Sequence, residues 1–349
     1  MLVLASVALA VLPLWLVGVV VASGERYQLG LLGFFALWTV TSVAWGQLLP
    51  RFGVWEEVFP VAVWVSTLVG MWLVAQPSLE LLRRRVGAFT LITAGFVAVI
   101  VGLGSLPTRA LLQVLGWGHD NSAHIFLAEA NAYCGGLLSA CGLELENVPS
   151  YLIEYPQGFS VTWASLPGAF TSTGLLGSLH AYAAVYLLTS IALMVVTGWL
   201  AVSLSRKSTW AWGAGVLAGL TVAVGVWSHQ FWSGFASFLW ATLIIVAFIV
   251  VRESRLLATG RLWFVFALMS LVAVYYSHQL LLPFLFVYVL VDALIHRGSL
   301  LSAARQSPWT FSIFALVALV LGLLAPRSAQ GNTYVDQVEV EAGMEAIPQ

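Results

Sequence analysis

The run VFPVAVWVSTLVGMWLVA, Val58–Ala75, carries no charged side chain, and its only polar residues are Ser66 and Thr67. Wound as a helix at about 1.5 Å per residue, its eighteen residues come close to the thickness of a hydrocarbon core, roughly 30 Å. Comparable runs recur on both sides, at Leu2–Ala22, Leu29–Leu49, Val86–Leu103, Leu179–Val202, Trp210–Trp227, Phe235–Val251, Leu262–Tyr276, Leu280–Leu294 and Phe311–Leu324. Apolar residues make up 60% of the chain and charged ones 8%, with a mean hydropathy of +0.95. An ordinary soluble domain is excluded by that balance. The expected fold is all-α, a polytopic transmembrane bundle of about ten helices, with sixteen tryptophans and ten tyrosines available for interfacial belts. Leu2–Ala22 has no basic residue before it, so it reads as a retained span and not as a secretory signal.

The runs divide the chain into helices one to four (residues 1–104), a long polar segment (105–178), helices five to ten (179–326) and a tail (327–349). Orientation follows from the connections, because short loops rich in Lys and Arg stay cytoplasmic. Arg83, Arg84 and Arg85, then Arg206 and Lys207, then Arg252, Arg255 and Arg261, then Arg297 and Arg305 occupy every second connection. The alternate connections are poor in basic residues, with a lone Arg109 in the long segment. The amino terminus, the long segment and the tail are therefore expected outside a cell membrane. The net charge of −1 says nothing further, and the scattered basic residues form no stripe for nucleic acid.

Polar chemistry collects in the long segment. Trp117-Gly118-His119-Asp120-Asn121-Ser122-Ala123-His124 is followed about thirty residues later by Tyr155-Pro156-Gln157-Gly158-Phe159, with Cys134 and Cys141 between them. On a helix, Asp120 and His124 share a face, Asn131 falls near the same stripe and Glu129 points away. A carboxylate beside an imidazole is a candidate general base; an Asp or Asn before an apolar helix is equally a cap. A continuous helix would hold the two cysteines about 10 Å apart, too far for a disulfide, whereas a turn at Gly135-Gly136 lets them meet. A Cys134–Cys141 bridge is the expectation. With no His at metal spacing the cysteines do not suggest zinc. Tyr155 to Phe159 reads as a turn, and Val161–Leu166 as the start of a re-entrant or amphipathic helix on the outer surface.

Two further helices end alike, in Trp227-Ser228-His229-Gln230 and Tyr276-Ser277-His278-Gln279. Either one cavity is lined twice by the same chemistry, or aromatic, Ser and His residues simply favour the interface.

An Asp followed four residues on by His at an outer helix start, then a Tyr-Pro-x-Gly-aromatic turn, then a many-helix bundle, resembles the polytopic glycosyltransferases of the C superfamily. The likeness is greatest to bacterial and actinobacterial members that use polyprenyl-phosphate sugars, and it spans roughly residues 86–280. It implies transfer of a sugar from a polyprenyl-phosphate donor to a cell-envelope glycan or lipid acceptor on the outer face. Asp120 is then the catalytic base and His124 its partner. His119, Asn121, Arg109, Tyr155, His229, Gln230, His278 and Gln279 are then candidates for binding substrate, and Arg109, His229 and His278 would meet the leaving phosphate. Relatives often carry a histidine where this chain has Ser160. They also run on through further helices or an outer domain, so this chain reads as a fragment or as one subunit beside a partner. The residues demand no metal and no cofactor, and leave room for a divalent cation. An outer-face glycan ligase or polymerase, a transporter and a non-catalytic membrane scaffold are the alternatives. A transporter predicts ionisable residues in mid-membrane, and only Asp292 comes near.

Overall fold

The computed structural model describes residues 2–52, 57–87, 121–141, 155–166, 174–205, 209–225, 236–254 and 260–309, together with positions 90, 94, 256, 311–313, 315, 316 and 319. Helix is the only extended regular structure among them, apart from one isolated bridge between Gly24 and Pro77. The helices are α1 (Leu2–Ala22), α2 (Tyr27–Leu48), α3 (Val58–Ala75), α4 (Asn121–Cys134), α5 (Leu138–Cys141), α6 (Gly158–Ala164), α7 (Gly174–Leu204), α8 (Ala211–Gly225), α9 (Ala236–Glu253), α10 (Gly260–Ser277), α11 (Leu282–Ile295) and α12 (Arg297–Gln306). Short 3-10 turns cover Pro50–Phe52 and Gln279–Leu281.

Among the described residues, five helical segments are long and apolar enough to cross a membrane, and a sixth is added if α11 and α12, which meet at 90°, count as one broken span. The five are Tyr27–Phe52, Val58–Ala75, Ser178–Leu204, Ala236–Glu253 and Gly260–Ser277. The expected runs Val86–Leu103 and Phe311–Leu324 lie largely outside the described residues.

Close backbone approach joins α1, α2 and α3 at one end. Arg26 N–H donates to the Ala75 carbonyl at 3.0 Å and Ser78 N–H to the Ser23 carbonyl at 2.9 Å. Arg85 returns to the same corner, its guanidinium 3.3 Å from the Ala22 carbonyl. Along their length α2 and α3 are tied by Thr41 Oγ1 and Thr67 Oγ1 at 2.8 Å and by Trp45 Nε1 donating to Ser66 Oγ at 2.8 Å. Such bonds contribute only about 0.6 kcal/mol each in a membrane bundle, so packing of the helices carries most of the association.

The centre of that packing is a group of indoles. Trp38 of α2 stands 4.9 Å (ring centroids) from Trp64 of α3, 4.9 Å from Trp163 of α6 and 5.9 Å from Trp240 of α9. Buried indole N–H groups need acceptors. Trp38 donates to Ser165 Oγ at 2.9 Å, Trp64 to the Ser165 carbonyl at 2.8 Å, and Trp240 to Thr39 Oγ1 at 2.9 Å.

Of the two alternatives at Val161–Leu166, a re-entrant or an amphipathic surface helix, the structure shows a buried one. Every residue from Gln157 to Leu166 is buried, and α6 is a short tongue inserted between α2, α9 and α10. Seven residues cannot span a bilayer, so the helix ends must be satisfied inside protein. At the inner end Ser165 Oγ donates to the Thr162 carbonyl at 2.6 Å, while the Ser165 carbonyl accepts from Trp64. At the outer end Gly158 lies against α10, where a Cβ would come within 2.6 Å of the Tyr276 backbone carbon. Only glycine fits that contact.

Candidate functional site

The site forms where α4 meets the mouth of the tongue. On α4 the buried residues Asn121, His124, Ala128 and Asn131 recur at helical spacing, so one face points inward. Tyr182 of α7 donates to Asn121 Oδ1 at 2.8 Å. Asn131 Nδ2 donates to Gln157 Oε1 and to the Gly136 carbonyl, both at 2.9 Å, and Leu138 N–H also donates to Gln157 Oε1 at 2.9 Å.

The turn after α4 is fixed covalently. Gly135 takes a φ of 60°, in the left-handed region that glycine enters without steric penalty. The chain reverses there, Leu137 N–H donates to the Gly46 carbonyl at 2.9 Å, and Cys134 and Cys141 form a disulfide with Cα atoms 5.6 Å apart. The turn converts a separation that a straight helix would make too long into one within bonding reach.

His124 is 1% exposed. Its ring meets Tyr155 and Phe159 edge to face, each at 5.5 Å between centroids, and neither ring nitrogen has a hydrogen-bond partner among the described residues. Burial above all, with the neighbouring His278 adding to it, lowers its pKa from 6.5 to about 3. His278 follows the last residue of α10. Its Nδ1 lies 3.4 Å from Ser237 Oγ, which in turn lies 3.4 Å from the Tyr155 hydroxyl. Burial lowers the His278 pKa to about 4. Both imidazoles are therefore uncharged at neutral pH, able to accept a hydrogen bond at one nitrogen and donate one from the other. A buried imidazole without partners carries an uncompensated desolvation cost of about 1–3 kcal/mol. Such a group is poised for a polar ligand.

His124, Tyr155 and His278 are thus brought together, Asn121 lies on the same face of α4, and Gln279 is half-buried in the turn after His278. Asp120, His119, Arg109, His229 and Gln230 lie outside the described residues. Ser237 and Tyr182 carry no mark in the sequence. Neither sits in a local motif, and each reaches the site from a helix remote in the chain. Gln157 occupies the free position of the Tyr-Pro-x-Gly turn, where an amide between proline and glycine was its only signal. Among the described residues no three His, Cys, Asp or Glu side chains group closely enough to hold a metal ion. No family model, curated protein or solved structure matches the chain.

Proposed function

We propose that the chain is a multi-pass membrane glycosyltransferase of the C superfamily. It would transfer a sugar from a polyprenyl-phosphate donor to a glycan or lipid acceptor on the outer face of the cell membrane. The observation that carries this reading is His124: a buried, uncharged imidazole with two unbonded nitrogens, on a helix whose first residue, Asn121, directly follows Asp120. Orientation supports it. α10 runs from Arg261 at one end to His278 just past the other, and Arg252 and Arg297 belong with Arg261. If basic ends face the cytoplasm, the imidazoles face outward, within a bundle of about ten spans whose residues 105–178 form the outer, active segment.

In this mechanism Asp120 removes the proton from the acceptor hydroxyl, and the oxygen attacks the anomeric carbon. The bond from that carbon to the phosphate oxygen breaks, and its electron pair leaves with the polyprenyl phosphate. His124, kept uncharged by burial, orients Asp120 through a hydrogen bond. Arg109, His229 and His278 stabilise the leaving phosphate by donating hydrogen bonds. Asn121, His119, Tyr155, Gln230 and Gln279 orient the sugar and the acceptor.

The test is sugar transfer from a radiolabelled polyprenyl-phosphate sugar in membranes containing wild type, Asp120→Asn or His124→Gln. The proposal expects Asp120→Asn to lose at least about a hundred-fold in rate, the lower range for a removed general base. Full transfer by Asp120→Asn removes the mechanism.

A further inference from the structure

At the end of α10 opposite His278, the 90° bend between α11 and α12 covers a second site. When α11 follows the bilayer normal, α12 lies in the plane of the interface. Its residues suit that position, with Leu300 and Ala303 buried and Arg297 and Arg305 exposed. The helix is also held there. A Cβ at Gly260 would stand 2.3 Å from the Ala303 side chain, and Arg261 Nη2 donates to the Gln306 carbonyl at 3.1 Å.

Beneath α12 is a cavity of about 310 Å³ whose walls include Trp263 and Phe264 of α10, Ala293 of α11, Leu301 of α12 and Phe311 beyond it. That volume is at the lower end of what small-ligand pockets occupy, about 300–1,000 Å³. Arg297 is the one charged residue of its lining. The nearby Arg252 is already neutralised, its Nε 2.7 Å from Asp292 Oδ2 and its Nη2 2.7 Å from Oδ1. Asp292 also accepts from Trp263 Nε1, which fixes one wall of the cavity. Arg297, by contrast, has no hydrogen-bond or ion-pair partner among the described residues.

An apolar chamber, a helix lying in the interface and one uncommitted guanidinium at the same level match a molecule with a hydrocarbon tail and an anionic phosphate. A free phosphate would leave the chamber unused, and a neutral apolar ligand would leave the arginine unused. We propose that this cavity holds an acyl chain of an anionic phospholipid whose phosphate pairs with Arg297. The site is independent of the glycosyl-transfer reading and lies at the other end of the bundle.

The full chain is purified in detergent and offered phosphatidylglycerol or phosphatidylcholine with identical acyl chains, and bound lipid is counted by native mass spectrometry. Wild type is expected to retain phosphatidylglycerol about five-fold better, the preference one interfacial arginine supplies. Arg297→Gln should bring the two lipids level, and Ala293→Trp, which fills the cavity, should lose both. Arg297 is exposed, so its substitution decides the matter even if Ala293→Trp fails to fold. Equal retention by wild type, or a phosphatidylglycerol preference that survives in Arg297→Gln, overturns the proposal. So does undiminished binding by a folded Ala293→Trp, which would mean lipid held around the bundle or a cavity occupied by the chain itself.

Discussion

Asn131 donates to Gln157 at 2.9 Å across 26 residues of chain, and this bond fastens the helix bearing His124 to the buried tongue. Asn131 is 0% exposed and Gln157 4%, so water does not readily replace the bond. Gln157→Leu keeps much of the volume but leaves the Asn131 amide and the Leu138 N–H short of an acceptor. We expect a loss of about 1–3 kcal/mol from the stranded donors, read by denaturant unfolding in detergent. Asn131→Leu should cost a similar amount, and the double substitution should cost less than the two together. Strict additivity would show that the amides act separately.

The histidines make stability depend on pH in a stated direction. An unfolded chain takes up a proton at each histidine near 6.5, whereas folded His124 resists protonation down to about 3 and His278 to about 4. Between those limits the unfolded state holds more protons, so stability is full above about pH 6.5 and falls as the solution is acidified. The slope from His124 approaches about 1.4 kcal/mol per pH unit. His124→Gln should flatten the decline of melting temperature between about pH 6 and pH 4 by the share of one proton. An unchanged slope would mean that His124 protonates in place without cost.

The Cys134–Cys141 bond, with its Cα atoms 5.6 Å apart, closes the turn that delivers Leu137 to α2. The loop is short, with a sequence separation of seven, and restricting it in the unfolded chain is worth about 2–3 kcal/mol. Reduction, or Cys134→Ser with Cys141→Ser, is expected to lower stability by that amount, seen as a lower melting temperature, and to speed proteolysis between α4 and α5. Melting unaffected by reductant would show that Gly135, Gln157 and the Gly46 contact hold the turn alone.

Much of this was legible in the sequence, for reasons that differ by element. Val58–Ala75 declares itself because eighteen uncharged residues, all but Ser66 and Thr67 apolar or small, average out any local ambiguity. The turn between the cysteines was readable because Gly135-Gly136 separates two alternatives that geometry distinguishes sharply. The tongue is harder to read, because the sequence leaves a re-entrant helix and a surface helix both open. Seven residues that mix Phe159, Val161 and Trp163 with Ser160 and Thr162 look the same on a surface as in a core, and what buries them includes contact with Trp38, 127 residues away from Ser165. The same limit hid Ser237, which lies between Tyr155 and His278 only because α9 and α10 pack side by side. His278 was visible through its Ser-His-Gln repeat, and its partners were not.

Asp292 offers the sharpest test of how the bundle tolerates charge. It is 8% exposed and faces Arg252 at 2.7 Å, with Trp263 on the same carboxylate. Removing one member of a buried pair usually costs about 3–5 kcal/mol, because the other is stranded. The two members are not equivalent. Asp292 has a short side chain and cannot leave its place, whereas Arg252 has a long stem that can carry its guanidinium to the interface. Arg252→Met should therefore destabilise more than Asp292→Asn, which also keeps an acceptor for Trp263. The pair Arg252→Met with Asp292→Asn should recover most of the loss, since no charge then remains to be stranded. Unfolding of the three variants in detergent measures this order, and equal costs for the two single substitutions would show that Arg252 cannot reach water.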